Sequence, residues 1–439
     1  MDKQYKRLRG MPDVLPADMP AWHAVEQAVR NAMSSYGYAE MRTPLLERTS
    51  LFERSIGEST DIVEKEMYTF PDRKGERMTL RPENTASFVR AVIENGLLQP
   101  GASSRVWYLG PMFRYERPQL GRQRQFHQAG AEVYGIAGPV IECELMLLCA
   151  RLWRELGVAD ALTLEINTLG TSQDRDRWRA ALVAHFTEHE ALLDDDSRRR
   201  LTKNPLRILD SKNPELQSLI ESAPSLEQFL ADDSSEHFKT LRALLDAAGI
   251  SYVLNPRLVR GLDYYSHTVF EWTTDRLGSQ SAVCSGGRYD GLLTEIGAKD
   301  TPGVGWAMGL ERMVALMDAL GVSPPAAAPD AFLIASDEVA ASDALALGES
   351  LRLAMPALSL QHNTAGGSMK SQFRKADKSG ASVAVVVGAT EIEANEVTLK
   401  PMRGDGEQQR VAIGQVPEVL ASMLKAPLGD SKLSHNNKQ

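Results

Sequence analysis

Residues Phe113–Gln128 read FRYERPQLGRQRQFHQ, and four arginines there (Arg114, Arg117, Arg122 and Arg124) accompany a single acid, Glu116. Pro118 and Gly121 fall between them, so the pattern predicts two strands joined by a loop. Guanidinium groups gathered this way point to an anionic partner, because the planar fork grips phosphate bidentately and stays charged. Phe126 adds a flat face for a base, and four glutamines accompany it. A solvated basic hairpin is the competing reading. Arg105–Leu109 and Phe126–Tyr134 are strand-like, as are Leu162–Asn167, Thr268–Trp272 and Ser281–Ser285. Strands so distant in sequence, with few strand–helix–strand alternations, predict an antiparallel sheet carrying helices, an α+β fold. Trp22, Val25, Val29, Met33 and Tyr36 follow helical spacing, with Asp18 as the expected cap.

Three further clusters carry possible chemistry. Leu258–Trp272 (LVRGLDYYSHTVFEW) sets Arg260 and the phenols Tyr264 and Tyr265 between apolar strands, although paired tyrosines are commonly core. Gly303–Arg312 (GVGWAMGLER) reads as glycines running into a helix, where they permit close approach of a ligand. Its spacing is not GxGxxG, so a dinucleotide fingerprint is unsupported. Arg312 in the first helical turn opposes the helix dipole, which a phosphate or purine partner would explain. Leu80–Thr85 (LRPENT) offers Glu83, Asn84 and Thr85, with a helix cap at Asn84 or Thr85 as the plain alternative. A decoy also exists: HFTEH at His185–His189 matches an H-x-x-E-H zinc pattern but lacks a convincing third ligand, so no metal ligand is assigned.

The chain has 439 residues, a length that allows about three domains. With 43% hydrophobic and 24% charged residues, it is neither a disordered chain nor a disulfide scaffold. Three cysteines without a CxxC pair fit a reducing compartment, and no apolar run approaches a membrane span, so a cytoplasmic location is expected. A net charge of −9 argues, at first sight, against a polyanion partner. The prolines of Gly321–Asp330 (GVSPPAAAPD) mark a boundary, and the strand–helix alternation after it predicts a small α/β domain with a largely parallel or mixed sheet. Between about Ser172 and Gly249, helical segments separated by charged clusters such as Asp194–Arg200 (DDDSRRR) predict a helical insertion. The expected organisation is therefore a split first domain (1–171 and 251–322), an insertion (172–250), a linker (323–330), an α/β domain (331–427) and a disordered tail (428–439).

Taken together, these motifs resemble those of the class II aminoacyl-tRNA synthetases, and specifically the bacterial histidyl-tRNA synthetases. YGYAEMRTPLLE around Pro44, FRYERPQLGRQRQFHQ and GVGWAMGLER look like the three class motifs. LVRGLDYY and GGRYDGL (Gly286–Leu292) are similar to the histidine signatures, and GGSMKSQFRKADKSGA to part of an anticodon-binding domain. The resemblance implies an antiparallel-sheet catalytic domain and a homodimer that uses ATP, with Mg2+, to charge histidine tRNA with L-histidine. It assigns Arg114 and Arg260 to the α-phosphate and catalysis, and Phe126 and Arg312 to adenine. Arg122 falls to ATP phosphates or the tRNA acceptor end, and Arg124 to the tRNA. Glu83, Thr85 and Gln128 fall to the substrate amino group, with Asn84 beside them where a glycine is commoner in the family. Glu132, Tyr264 and Tyr265 would line the imidazole pocket, while Lys370, Arg374 and Lys375 would meet tRNA. The competing expectation is a synthetase-like regulatory subunit of ATP phosphoribosyltransferase, which senses histidine without catalysis.

Overall fold

The computed structural model describes residues 5–57, 60–98, 101–209, 211, 213–259, 262, 264–278, 282–325, 328–336, 339, 341–404 and 406–425. The chain forms two compact units, Met1–Pro325 and Ala326–Gln439. The first begins with α1 (Met19–Ser35), β1 (Ala39–Glu40), β2 (Leu46–Arg48), α2 (Thr49–Ile56), β3 (Tyr68–Pro71), β4 (Arg77–Leu80) and α3 (Thr85–Glu94). It continues through β5 (Ser104–Phe113), β6 (Gln125–Tyr134), α4 (Val140–Glu155) and β7 (Thr163–Thr168). A helical stretch follows, α5 (Ser172–Glu188), α6 (Asp195–Lys203), α7 (Gln217–Glu221) and α8 (Asp232–Ala247). The unit closes with β8 (Tyr252–Leu254), β9 (Ser266–Thr273), β10 (Ala282–Arg288), α9 (Asp290–Ile296), β11 (Gly303–Gly309) and α10 (Leu310–Leu320).

Eight strands form the central sheet in the order β1-β5-β6-β11-β10-β9-β7-β8. Its pairings are antiparallel except at the two edges, where β1 joins β5 and β8 joins β7 in parallel. One face packs on α1, α4 and α10 through Val25, Val29, Leu145, Leu152, Met313 and Leu316, all fully buried. Asp18 precedes α1 as expected, but its carboxylate accepts from the Leu15 N–H outside the helix rather than capping it. GVGWAMG, read as glycines running into a helix, does run into α10 but is itself a strand. Val304, Trp306 and Met308 alternate into the core, and Gly303, Gly305, Ala307 and Gly309 leave the opposite face nearly bare.

The helical stretch divides in two. Trp178, Leu182, Phe186, Ile208 and Leu216 make a core of their own. Leu241 and Leu245 of α8 belong instead to the main core, against α4. DDDSRRR, expected to separate helices, starts α6: Asp194 accepts from the Ser197 N–H at 2.7 Å, and Asp195 and Asp196 pair with Arg198 and Arg199 one turn on.

The second unit holds β12 (Ala331–Ala335), α11 (Ala341–Ala354), β13 (Leu360–His362), α12 (Met369–Ser379), β14 (Val383–Val387), α13 (Ala389–Ala394), β15 (Glu396–Pro401), β16 (Gln409–Ala412) and α14 (Val416–Lys425). Its sheet, β13-β12-β14-β15-β16, is parallel across the first three strands and antiparallel beyond. The segment expected as a tail lies outside the described residues. Among the described residues, no helix is long and apolar enough to cross a membrane.

Candidate active site

Strand β6 lays out the site. Side chains alternate across a strand, so Phe126, Gln128, Gly130 and Glu132 share one face, while Ala129, Ala131 and Val133 enter the core. At about 3.4 Å per residue, Phe126 and Glu132 stand roughly 20 Å apart along one wall. Gly305 of β11 lies opposite Glu132, and Gly287 of β10 lies opposite Gly305. A Cβ on Gly305 would strike the Glu132 carboxylate and come within 2.6 Å of the Ala131 carbonyl, while one on Gly287 would lie 2.9 Å from the Tyr265 ring. Bare backbone thus forms the floor of a cavity of about 220 Å³.

At the inner end, the Thr85 hydroxyl donates to Glu132 at 2.7 Å and the Tyr289 hydroxyl donates to its other oxygen. Burial pushes the Glu132 carboxyl up to about 8, against the lowering effect of these two bonds. Tyr264 packs against Tyr265 and Tyr289, with centroids 4.7 and 5.6 Å away. The buried Glu83 accepts from the backbone N–H groups of Thr85 at 2.6 Å and Ala86 at 3.0 Å, capping α3. Burial raises its carboxyl above the usual range, and these bonds only partly oppose that. This end joins two acids, Glu83 and Glu132, to the phenols of Tyr108, Tyr264, Tyr265 and Tyr289.

At the outer end, the Arg114 guanidinium lies over the Phe126 ring, 5.2 Å from its centroid, and donates to the Pro82 carbonyl at 2.8 Å. Arg122 turns onto the buried Glu116, which also lies 3.8 Å from Arg114. Arg312 donates to the Gly121 carbonyl at 3.1 Å and to that of Ala282. Glu311 receives the His127 N–H at 2.9 Å, tying α10 to β6 between Phe126 and Gln128. The cavity therefore runs from arginines and an aromatic ring to a buried acid, a layout able to hold a polyphosphate nucleotide beside a small nitrogenous substrate.

Residues 10–313 match the model of the family described as histidyl-tRNA synthetase, and residues 336–423 match that of an anticodon-binding domain. The chain belongs to the histidyl-tRNA synthetase family. The S. aureus histidyl-tRNA synthetase, in an apo crystal structure, is 32% identical with a TM-score of 0.80, covering 95% of this chain and 100% of that one. The Nostoc histidyl-tRNA synthetase is 20% identical (TM-score 0.67, covering 96% and 100%) and shares the fold. So does a Bacillus halodurans protein described as an ATP phosphoribosyltransferase regulatory subunit/histidyl-tRNA synthetase, at 20% identity and TM-score 0.61, covering 89% and 100%.

Of the residues singled out from the sequence, Glu83, Thr85, Arg114, Arg122, Phe126, Gln128, Glu132, Tyr264, Tyr265 and Arg312 line the same cavity. Asn84 does not: its side-chain oxygen accepts from the Thr43 hydroxyl at 2.7 Å and from Arg81 at 3.0 Å. Arg124 also turns aside, lying 3.7 Å from the Tyr115 ring and donating to the Glu116 carbonyl. Lys370, Arg374 and Lys375 are exposed on α12, with Lys375 donating to Asn363 at 2.9 Å. Arg260 lies outside the described residues. Tyr289, Glu116 and Glu311 line the cavity without having been singled out by sequence. Tyr289 stands within GGRYDGL and was legible there, whereas Glu116 was passed over as the lone acid in a basic run. In HFTEH, the His185 and His189 rings face the carbonyls of Leu219 and His185 at 3.2 and 2.9 Å. Among the described residues, no group of three or more His, Cys, Asp or Glu side chains is disposed to hold a metal.

Proposed function

We propose that the protein is a histidine–tRNA ligase, which condenses L-histidine with ATP to histidyl-adenylate and pyrophosphate and then esterifies the 3′-terminal ribose of histidine tRNA. The observation that carries this reading is the single wall from Phe126 to Glu132, with cations at one end and a buried acid among phenols at the other. A side chain offering two ring nitrogens satisfies Glu132 and a facing tyrosine together, and an isostere lacking one strands a buried carboxyl. The histidine carboxylate attacks the α-phosphorus; that P–O bond forms as the bond to pyrophosphate breaks. Charge spreads over the phosphoryl oxygens, and Arg114, pinned by the Pro82 carbonyl, stabilises it without reorganising. Arg260 joins it on the strength of the resemblance. Phe126 and Arg312 flank the adenine. Glu271 and Ser285, opposite one another across β9 and β10 and lining the cavity, are oxygen donors suited to Mg2+ arriving with the triphosphate, where it would neutralise phosphate charge. The protein works as a cytoplasmic homodimer.

Pyrophosphate exchange with each of the twenty amino acids, followed by aminoacylation of histidine tRNA, tests the reading. Exchange with histidine alone and its loss in Arg114→Ala are expected. Histidine binding without exchange in the unaltered chain would favour a regulatory subunit of ATP phosphoribosyltransferase, the reading kept open by the B. halodurans likeness in fold.

A further inference from the structure

Ser266 and His267 follow the tyrosine pair, and no step of the proposed reaction uses them. His267 is one of two non-glycine residues with positive φ among the described residues, at +46°. Such a conformation is uncommon for residues other than glycine, although histidine adopts it more readily than most. Its backbone bridges to the start of the helical stretch, with His267 N–H donating to Gly170 at 2.7 Å and Leu169 N–H donating to His267 at 2.6 Å. Its ring stacks on that of His237 in α8, with centroids 4.8 Å apart and planes 22° apart. The buried Nδ1 of His267 has no hydrogen-bond partner among the described residues, so no hydrogen bond at that edge fixes the ring, and the stack packs against its face.

The stack continues inward. His237 Nε2 lies 2.9 Å from Glu142 of α4, whose same oxygen receives Arg288. Glu142 and Arg288 are both fully buried. Arg288 also donates to Asp290 at 3.0 Å and to the Gly138 carbonyl at 2.8 Å, and it immediately precedes Tyr289, the partner of Glu132. From α5, Arg175 donates to the Tyr265 carbonyl at 2.7 Å. Both helices that bound the insertion therefore grip the segment carrying Tyr264 and Tyr265, and the same chain of contacts ends beside the other wall of the pocket.

We propose that the stacked His237–His267 pair is a positioning joint through which α8 sets the tyrosine segment of the histidine pocket, with Glu142 and Arg288 extending the joint to Tyr289. The proposal rests on the pocket being a histidine site. Neither imidazole touches the substrate; both act through Tyr265 and Tyr289. A tyrosine segment released at this end keeps its fold but loses its alignment, and small misplacements of that kind cost large factors in binding and rate.

The test separates the ring from the backbone. His267→Gly relaxes the positive φ and removes the stack, while His267→Phe keeps a flat ring. Histidine Kd by calorimetry and the KM values for histidine and ATP in pyrophosphate exchange are measured, with thermal melts as the folding control. The expected result is a rise of about tenfold in histidine Kd and KM for His267→Gly, with the ATP KM within about twofold, and recovery of most of the loss in His267→Phe. His237→Leu, which removes both the stack and the bond to Glu142, should match His267→Gly. Unchanged histidine Kd in a folded His267→Gly protein, or equal changes in the histidine and ATP constants, would overturn the joint. An unaltered chain that binds no histidine would instead overturn the ligase reading, and the joint with it.

Discussion

Glu132 sets stability against function within one residue. Its carboxyl moves from an ordinary 4.5 to about 8 because burial penalises the charge more than Thr85 and Tyr289 relieve it. The folded chain then binds more protons than the unfolded one between those values, so stability falls as pH rises through that window and stays lower above it. The effect is on the order of a few kcal/mol. Glu132→Gln removes the titration while keeping the shape. That variant should melt higher than the unaltered protein near pH 8.5 and show a flatter Tm between about pH 5 and 8, while its histidine-dependent exchange collapses. Parallel melting curves at every pH would refute the assignment of this proton. The residue types needed for such chemistry were visible in the chain, but the pairing of Glu132 with Tyr289, far apart in sequence, was not. Only the sheet register brings β6, β11 and β10 side by side.

Elements were legible where side chains alternate by polarity and hidden where they alternate by size. α1, β5, β6, β12 and β14 follow apolar periodicity and were read correctly. β11 was not, because glycine is a poor strand former and its bare face is a cavity floor rather than a polar surface. The entry to α3 shows the same limit. Asn84 looked like a cap or a ligand, yet Glu83 caps the helix, and Asn84 joins Thr43 to Arg81. Its backbone, at φ −118° and ψ −9°, is ordinary for any residue, so a glycine is not required there. Asn84→Gly should therefore destabilise by about 1–3 kcal/mol through the lost acceptor for Arg81 and the added chain entropy. Chemical denaturation should report that loss with the histidine KM within about twofold; a selective rise in KM would restore Asn84 to the pocket.

At the scale of the whole molecule, the net charge of −9 conceals where the cations stand. In the first unit, the arginines at the cavity are held by Glu116 and by backbone carbonyls, so their charge is directed inward. In the second unit, Lys370, Arg374 and Lys375 stand exposed on one helix. Binding of a polyanion depends on such local excess, since each neutralised phosphate releases counterions whatever the total charge. A synthetase-family domain and an anticodon-binding domain in one chain imply tRNA as the partner, which the net charge alone had argued against. The two steps of the proposed reaction should then differ in their response to salt. In that reading, adenylate formation would use contacts inside the cavity, while tRNA charging would also use the helix of the second unit. Replacing Lys370, Arg374 and Lys375 together by alanine should leave histidine-dependent pyrophosphate exchange unchanged. The same variant should raise the tRNA KM about tenfold and lower the slope of log affinity against log salt by about 2–3. Titration of aminoacylation against potassium chloride measures both quantities, and an unaltered slope would remove these three residues from the tRNA surface.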